Sequence, residues 1–167
     1  MELWDLYTPD RQPSGKTIIQ GEELPEGLLH LVVHVWIQNS KGDFLMSQRS
    51  ASRYAFPLLW ETVGGSVVAG EDSLTGALRE VKEETGIDLL PENGRILFSE
   101  SPRFFNGYPS DNILDVWLFS YDGPLALENA TTGEVAQCKW MTPQKIKALD
   151  ASGKLVPTLQ YFFTKLL

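Results

Sequence analysis

The chain has 167 residues, with 14 Lys and Arg against 22 Asp and Glu and a formal charge of −8, a length that suits one domain spanning residues 1–167. This acidic balance lacks the Lys and Arg excess that captures nucleic acid polymers or anionic membrane in bulk. The single cysteine, Cys138, excludes an intrachain disulfide, no apolar run nears the roughly 20 residues that cross a bilayer, and the start Met1-Glu2-Leu3-Trp4-Asp5 is acidic where a signal peptide is basic, so a soluble cytoplasmic protein is expected.

Leu3–Tyr7 and Lys16–Gln20 read as short strands around the turn-rich Pro9–Gly15, forming an N-terminal hairpin within an extension over residues 1–27. Leu28–Asn39 is rich in Leu, Val, Ile and Trp, and the turn Ser40-Lys41-Gly42-Asp43 leads to Phe44–Arg49, an expected antiparallel pair. Pro57 interrupts the next stretch, and Trp60–Val68 is extended around Gly64-Gly65. Paired glycines mark either a tight bend or a backbone that something approaches closely, where bare carbonyls and amides can meet a metal or a phosphate. From Ser73 to Thr85 the period becomes helical, with Leu74, Leu78, Val81 and Thr85 as an inward stripe, Glu71 and Asp72 at the start and Gly86 as the stop. Arg95–Ser99, Ile113–Tyr121 and Val135–Met141 are further strands, and between the first two lies a loop carrying Arg103, Phe104, Phe105, Asn106 and Tyr108. Thr142-Pro143 caps a helix to about Ala151, and Pro157 opens a last helix with Leu159, Phe162, Phe163 and Leu166 on one face. The order is α+β.

The chemistry sits in Gly65, five residues, Glu71, seven residues, then Arg79-Glu80-Val81-Lys82-Glu83-Glu84-Thr85-Gly86-Ile87. At about 100° per residue Glu80, Glu83 and Glu84 share one sector of roughly 100°, turned away from the Leu74, Leu78, Val81 stripe and expected to face solvent. An isolated acidic pair on a helix is usually a solvated face. Three crowded carboxylates also make an oxygen-rich site for a hard divalent cation such as Mg²⁺, which relieves their repulsion and can bridge to phosphate. Arg79 can pair with Glu83 or orient a neighbouring glutamate.

This spacing matches the Nudix signature at each of its seven fixed positions, and seven residues at about 6% usage each coincide with a chance on the order of 10⁻⁹ per starting point. The chain thus resembles the Nudix hydrolase superfamily over about residues 28–150, with the box at residues 65–87 the specific part. The resemblance implies an α/β/α sandwich around a mixed sheet, and hydrolysis of a nucleoside diphosphate linked to another moiety by water attack at phosphorus, with Mg²⁺ or Mn²⁺. By motif position Glu80, Glu83 and Glu84 hold the metal with the Gly64 carbonyl, and Glu80, held by Arg79, orients or deprotonates the water. Glu71 supports the loop. Some members take a base or an extra ligand from outside the box, and Glu134, ahead of Trp140-Met141-Thr142-Pro143, is placed for that, with Glu100 and Asp111 as further alternatives; the plain alternative for Glu134 is a strand-edge glutamate.

A second likeness is to isopentenyl-diphosphate isomerases, carried by Leu29–Trp36, Gln48-Arg49-Ser50, Phe56-Pro57, Trp60 and the N-terminal extension. Those enzymes need an active-site Cys followed by His, where this chain reads Glu61-Thr62-Val63-Gly64-Gly65-Ser66, so hydrolysis is the expectation. A nucleotide-sensing Nudix domain without turnover is the third alternative, against which stands the complete box. His30 and His34 read as structural strand residues, with metal binding by His30 the other reading. Gly65, Arg49, Arg103, Phe104 and Phe105 are the substrate-binding candidates: arginines for phosphate or ribose, aromatics, with Tyr108 and Trp117, for a base. Their plain alternative is core packing and loop anchoring. The substrate is a small diphosphate whose organic part no motif names, and the hairpin and last helix are surfaces a homodimer can use.

Overall fold

In the computed structural model, which describes residues 1–101, 103–105 and 108–167 and only the backbone of Phe105, the long apolar run becomes the central strand. The strands are β1 Leu3–Tyr7, β2 Pro13–Ile19, β3 Leu29–Gln38, β4 Phe44–Arg49, β5 Trp60–Glu61, β6 Val63–Ser66, β7 Gly94–Glu100, β8 Phe104–Phe105, β9 Tyr108–Pro109, β10 Asn112–Ser120 and β11 Val135–Met141. The helices are α1 Ser73–Thr85, α2 Pro143–Ala151 and α3 Phe162–Lys165. Along one edge of β3 runs β10, parallel, from Asn112 opposite His30 to Ser120 opposite Gln38. The other edge is shared by β1, by β6 with Val32–Val35 opposite Ser66–Val63, and by β4, which meets β3 at Gln38 and Phe44. The expected β3–β4 pair is therefore only a junction, and the long partner of β3 comes from far along the chain, a pairing that no local pattern encodes. With β2, β5, β7 and β11 the mixed sheet has nine strands among the described residues, and β8–β9 is a separate hairpin.

Alternation along β3 sets the layers. Leu31, Val33, Val35 and Ile37 pack with Ala77 and Val81 of α1. Trp36 packs on the opposite face with Leu114, Val116, Ile146 of α2 and Phe162 of α3. Helices thus cover both faces of the sheet, the α/β/α sandwich expected from the sequence.

Asp72 caps α1 by accepting from the Thr75 N–H at 2.7 Å, and Gly86, at φ 74°, closes it in the left-handed conformation that glycine tolerates. Thr142 caps α2 on the Lys145 N–H. The expected last helix is instead a 3₁₀ turn, Pro157–Leu159, and the single turn α3. Leu159 and Phe162 are buried in the core on that face of the sheet, with Tyr161, Phe163 and Leu166 packed against it.

One further expectation changes. The buried face of α1 is Gly76, Ala77, Glu80, Val81, Glu84 and Thr85, while Leu74 and Leu78 are only partly covered. Glu80 and Glu84 are 7% and 5% exposed rather than solvent-facing. At 100° per residue Glu84 lies only about 60° round the helix from Val81, beside the stripe and not opposite it.

The N-terminal hairpin forms as expected, and Arg11 in its loop, at φ 64°, reaches across to Asp115 on β10 with two bonds of 2.5 Å.

Candidate active site

The site is built where β6 passes α1. A Cβ on Gly65 would stand 2.4 Å from the Glu80 carboxyl, and one on Gly64 2.6 Å from the Val33 carbonyl oxygen and 3.0 Å from His34 Cδ2. The glycine pair is thus demanded first by the protein's own groups, one on each face of the sheet. Arg79 ties the box together, donating to Glu71 at 2.9 Å, Glu80 at 2.9 Å, Glu83 at 3.1 Å and the Ser66 carbonyl at 2.9 Å. Burial works against its charge, but the bonds from Glu71 and Glu80 outweigh it and hold Arg79 firmly protonated.

On the α1 side lies an acidic cavity of about 180 Å³, lined by Glu2, Glu80, Glu83, Glu84 and Glu134 with Gly64, Gly65, Ser66, Arg53 and Thr132. Glu84 Oε2 is buried with no hydrogen-bond partner among the described residues. Burial pushes the Glu84 carboxyl well above its ordinary range, and the charges of Glu80, Glu61 and Glu134 push the same way. Burial likewise raises Glu80 to about 7 against the pull of Arg79. Glu134 forms an ion pair with Arg53. The loop ahead of it is fixed to the end of α1, because Thr131 and Thr132 both donate backbone N–H groups to the Glu83 carbonyl. Among the described residues the carboxylates are not gathered into a ready-made three-ligand cluster, since Arg79 holds Glu80 and Glu83.

Across β6 is a second cavity of about 250 Å³, lined by His34, Arg49, Glu61, Thr62, Arg103 and Thr158 with the same Gly64 and Gly65. Arg49 is satisfied there, 2.6 Å from Glu61 and 2.8 Å from the Ala55 carbonyl. Arg103 is 8% exposed, and among the described residues its side chain makes one bond, to the Thr158 carbonyl at 3.3 Å; burial lowers its pKa. His34 Nδ1 lies 2.8 Å from the Tyr161 hydroxyl, and burial, then the Arg103 charge, pushes the ring down to about 3, so it is neutral. A third cavity, of about 250 Å³, shares Arg103 and Thr158 with the second and continues past Phe104, Gln160 and Tyr161.

The structure therefore brings Glu80, Glu83, Glu84, Gly64, Gly65, Arg79 and Glu134 together, and sets Arg49, Arg103 and Phe104 along the adjoining cavities. Glu100 pairs with Lys165 at 2.9 Å, and the Asp111 carbonyl bonds His30 Nδ1 at 3.0 Å; neither residue lines the acidic cavity. His30 also stacks on Trp4 at 4.3 Å, in keeping with a structural role. Trp117 donates to Ser73 Oγ at 2.9 Å and packs on the core, so it is not a free platform for a base. Tyr108 is exposed, and the side chain of Phe105 and all of Asn106 lie outside the described residues. Sequence reasoning missed Glu2, Arg53, Glu61 and Thr132, which approach through tertiary packing alone, and it took His34 for a plain strand residue.

Comparison with known proteins places the chain that carries this β6–glycine–α1 arrangement in a family. The NUDIX domain family model matches residues 28–162. An uncharacterized Nudix hydrolase of Listeria innocua is 40% identical over 98% of this chain and 91% of its own length, and one of Listeria monocytogenes 38% over the same shares. The crystal structure of DR0079 from Deinococcus radiodurans superposes with a TM-score of 0.72 at 25% identity, covering 93% of each chain. The chain belongs to the Nudix family and is a hydrolase of the kind that acts on pyrophosphate bonds. No helix among the described residues is long and apolar enough to cross a membrane.

Proposed function

We propose that this protein is a metal-dependent hydrolase of a diphosphate linkage in a nucleoside diphosphate derivative, working by water attack at phosphorus. The observation that carries the reading is Glu84 Oε2, a carboxylate oxygen sealed from solvent without a protein donor among the described residues, in a cavity lined by four further glutamates. A buried unpaired carboxylate is costly, and this density of oxygen donors suits Mg²⁺ or Mn²⁺. Glu80, Glu83, Glu84 and the Gly64 carbonyl are the groups that hold the ion, with Glu80 and Glu83 sharing their oxygens with Arg79. Bound there, a divalent ion neutralises phosphate charge, polarises phosphorus and acidifies water. Glu80, fixed by Arg79, orients the attacking water and accepts its proton. Arg79 fixes the Glu80 carboxylate, and Glu71 anchors Arg79 in turn. Glu134, held by Arg53 across the same cavity, is the alternative base. Gly65, Arg49, Arg103 and Phe104 face the rest of the substrate.

Residues 1–167 act as one domain in this reading, in the cytoplasm, where a lone cysteine stays reduced. The isomerase alternative gains nothing from Cys138, whose thiol burial and then Glu84 push up to about 11, so it stays protonated. The test is product release from a panel of nucleoside diphosphate derivatives with Mg²⁺, Mn²⁺ or EDTA, wild type beside Glu84→Gln. Cation-dependent cleavage lost in the variant is expected. An intact panel under both cations, or cleavage indifferent to EDTA, overturns the reading.

A further inference from the structure

Among the described residues, two side chains of the second cavity keep N–H groups without an acceptor. Behind His34 a short relay fixes its tautomer. The Trp36 indole N–H can only donate, so the Tyr161 hydroxyl oxygen accepts from it at 2.9 Å, and with no other acceptor among the described residues the Tyr161 proton goes to His34 Nδ1, 2.8 Å away. Nδ1 therefore accepts, and in a neutral ring the proton sits on Nε2. Nε2 has no partner among the described residues, and His34 is half-buried and lines the cavity, so this N–H is a donor on the cavity wall. Arg103 lines the same cavity. Its guanidinium carries five N–H groups, makes one long bond, and meets no carboxylate within ion-pair distance among the described residues. Arg49, which lines the same cavity, is by contrast paired with Glu61 and bonded to the Ala55 carbonyl.

We propose that Arg103 and His34 form an anion subsite that takes the second phosphoryl group of a substituted diphosphate, whose first phosphoryl group meets the Glu80, Glu83, Glu84 cavity. The subsite rests on the hydrolase reading above. Gly64 and Gly65 line both cavities, and β6 pairs with β3 alone among the described residues, so its other edge is open. An acidic cavity and a cationic one thus meet at a strand edge without side chains, which lets two linked phosphoryl groups straddle it. The third cavity shares Arg103 with the second and continues past Phe104 and Tyr161. An organic group on the second phosphate extends there, so the substrate class is a diphosphate substituted at the end remote from the metal-side phosphorus.

The chain has 2 histidines, so long-range ¹H–¹⁵N spectra of the labelled full-length protein in EDTA resolve each ring, and inorganic pyrophosphate is the probe. His34 is expected as the Nε2–H tautomer, with pyrophosphate moving its Nε2 resonance and leaving His30 in place. Arg103→Gln is expected to weaken pyrophosphate binding roughly 10- to 100-fold, the loss of a charged hydrogen bond. Because it removes a buried unpaired charge, it should also raise Tm, by about 2–4 °C. An Nδ1–H tautomer, an unmoved His34 at saturating pyrophosphate, or wild-type affinity in folded Arg103→Gln overturns the subsite. Failure of every diphosphate to turn over, with these results in hand, overturns the hydrolase reading and leaves the subsite standing.

Discussion

Asp115 and Glu84 are both carboxylates closed off from solvent, one on β10 beneath the N-terminal hairpin and one on α1 beside β6, and the fold treats them oppositely. Asp115 accepts two bonds of 2.5 Å from Arg11 and one of 2.6 Å from Ser99. Burial alone would raise it, but these bonds and the Arg11 charge hold it below its ordinary range. Glu84 Oε2 receives no donor among the described residues, and burial with like charge drives that carboxyl up. Arg11 reaches Asp115 from φ 64°, a backbone region unfavourable for a non-glycine residue, so strain is tolerated to complete that pair. Near Glu84 the arginines are present but committed elsewhere, Arg79 to Glu71, Glu80 and Glu83, and Arg53 to Glu134. The unpartnered oxygen at this site is therefore not a shortage of partners. Asp115 is paired and Glu84 is left open, a difference that the proposed metal site accounts for.

Substitutions separate these two uses. Glu84→Gln should lower kcat by about 10²- to 10³-fold, the order of a lost metal contact worth several kcal/mol, while its Tm in EDTA at least equals wild type. A large drop in Tm would mean that Glu84 holds the fold after all. Gly65→Ala, whose Cβ would press on the carboxylate that Arg79 fixes, should cost roughly 10- to 100-fold in kcat/KM through misplacement of Glu80, read beside an unchanged far-UV spectrum. Asp115→Asn should do the reverse, destabilising by about 2 kcal/mol, or roughly 4–8 °C in Tm, with kcat unchanged below the melt.

The pH dependence carries the same sign. A carboxyl held below its ordinary value of 3.8, as Asp115 is, contributes stability that is fully present above that value and is lost as pH falls below it. Acid melts of wild type should therefore steepen below about pH 3.8 relative to Asp115→Asn. The smallest effect expected is from Cys138→Ser, with activity retained; its loss in a folded variant would point to thiol chemistry.

Local signals carried much of this architecture. Ser73–Thr85 is helical at the predicted residues because Asp72, the 3.6-residue period and Gly86 all agree, and Val135–Met141 and the Thr142-Pro143 cap likewise depend on neighbours in sequence. The spacing of Glu80, Glu83 and Glu84 marked the site, and with it Gly64, Gly65 and Arg79. What sequence alone did not carry was whatever depends on distant segments: the parallel β3–β10 pairing, the approach of Glu2, Arg53 and Glu61, and the relay from Trp36 through Tyr161 to His34. The burial of Glu80 and Glu84 escapes the sequence pattern for a related reason. A wheel drawn from apolar residues assumes that carboxylates mark solvent, and here the buried sector of α1 is completed by two of them.

The measurement that bears most directly on the open carboxylate at Glu84 is a thermal melt of wild type and Glu84→Gln, each in EDTA, in Mg²⁺ and in Mn²⁺. A cation that binds only the folded state raises Tm by linkage, so the wild type should shift upward with either cation while Glu84→Gln stays near its EDTA value. Equal shifts in both proteins, or none in the wild type, would contradict the claim that this oxygen is left unpaired for a metal ion.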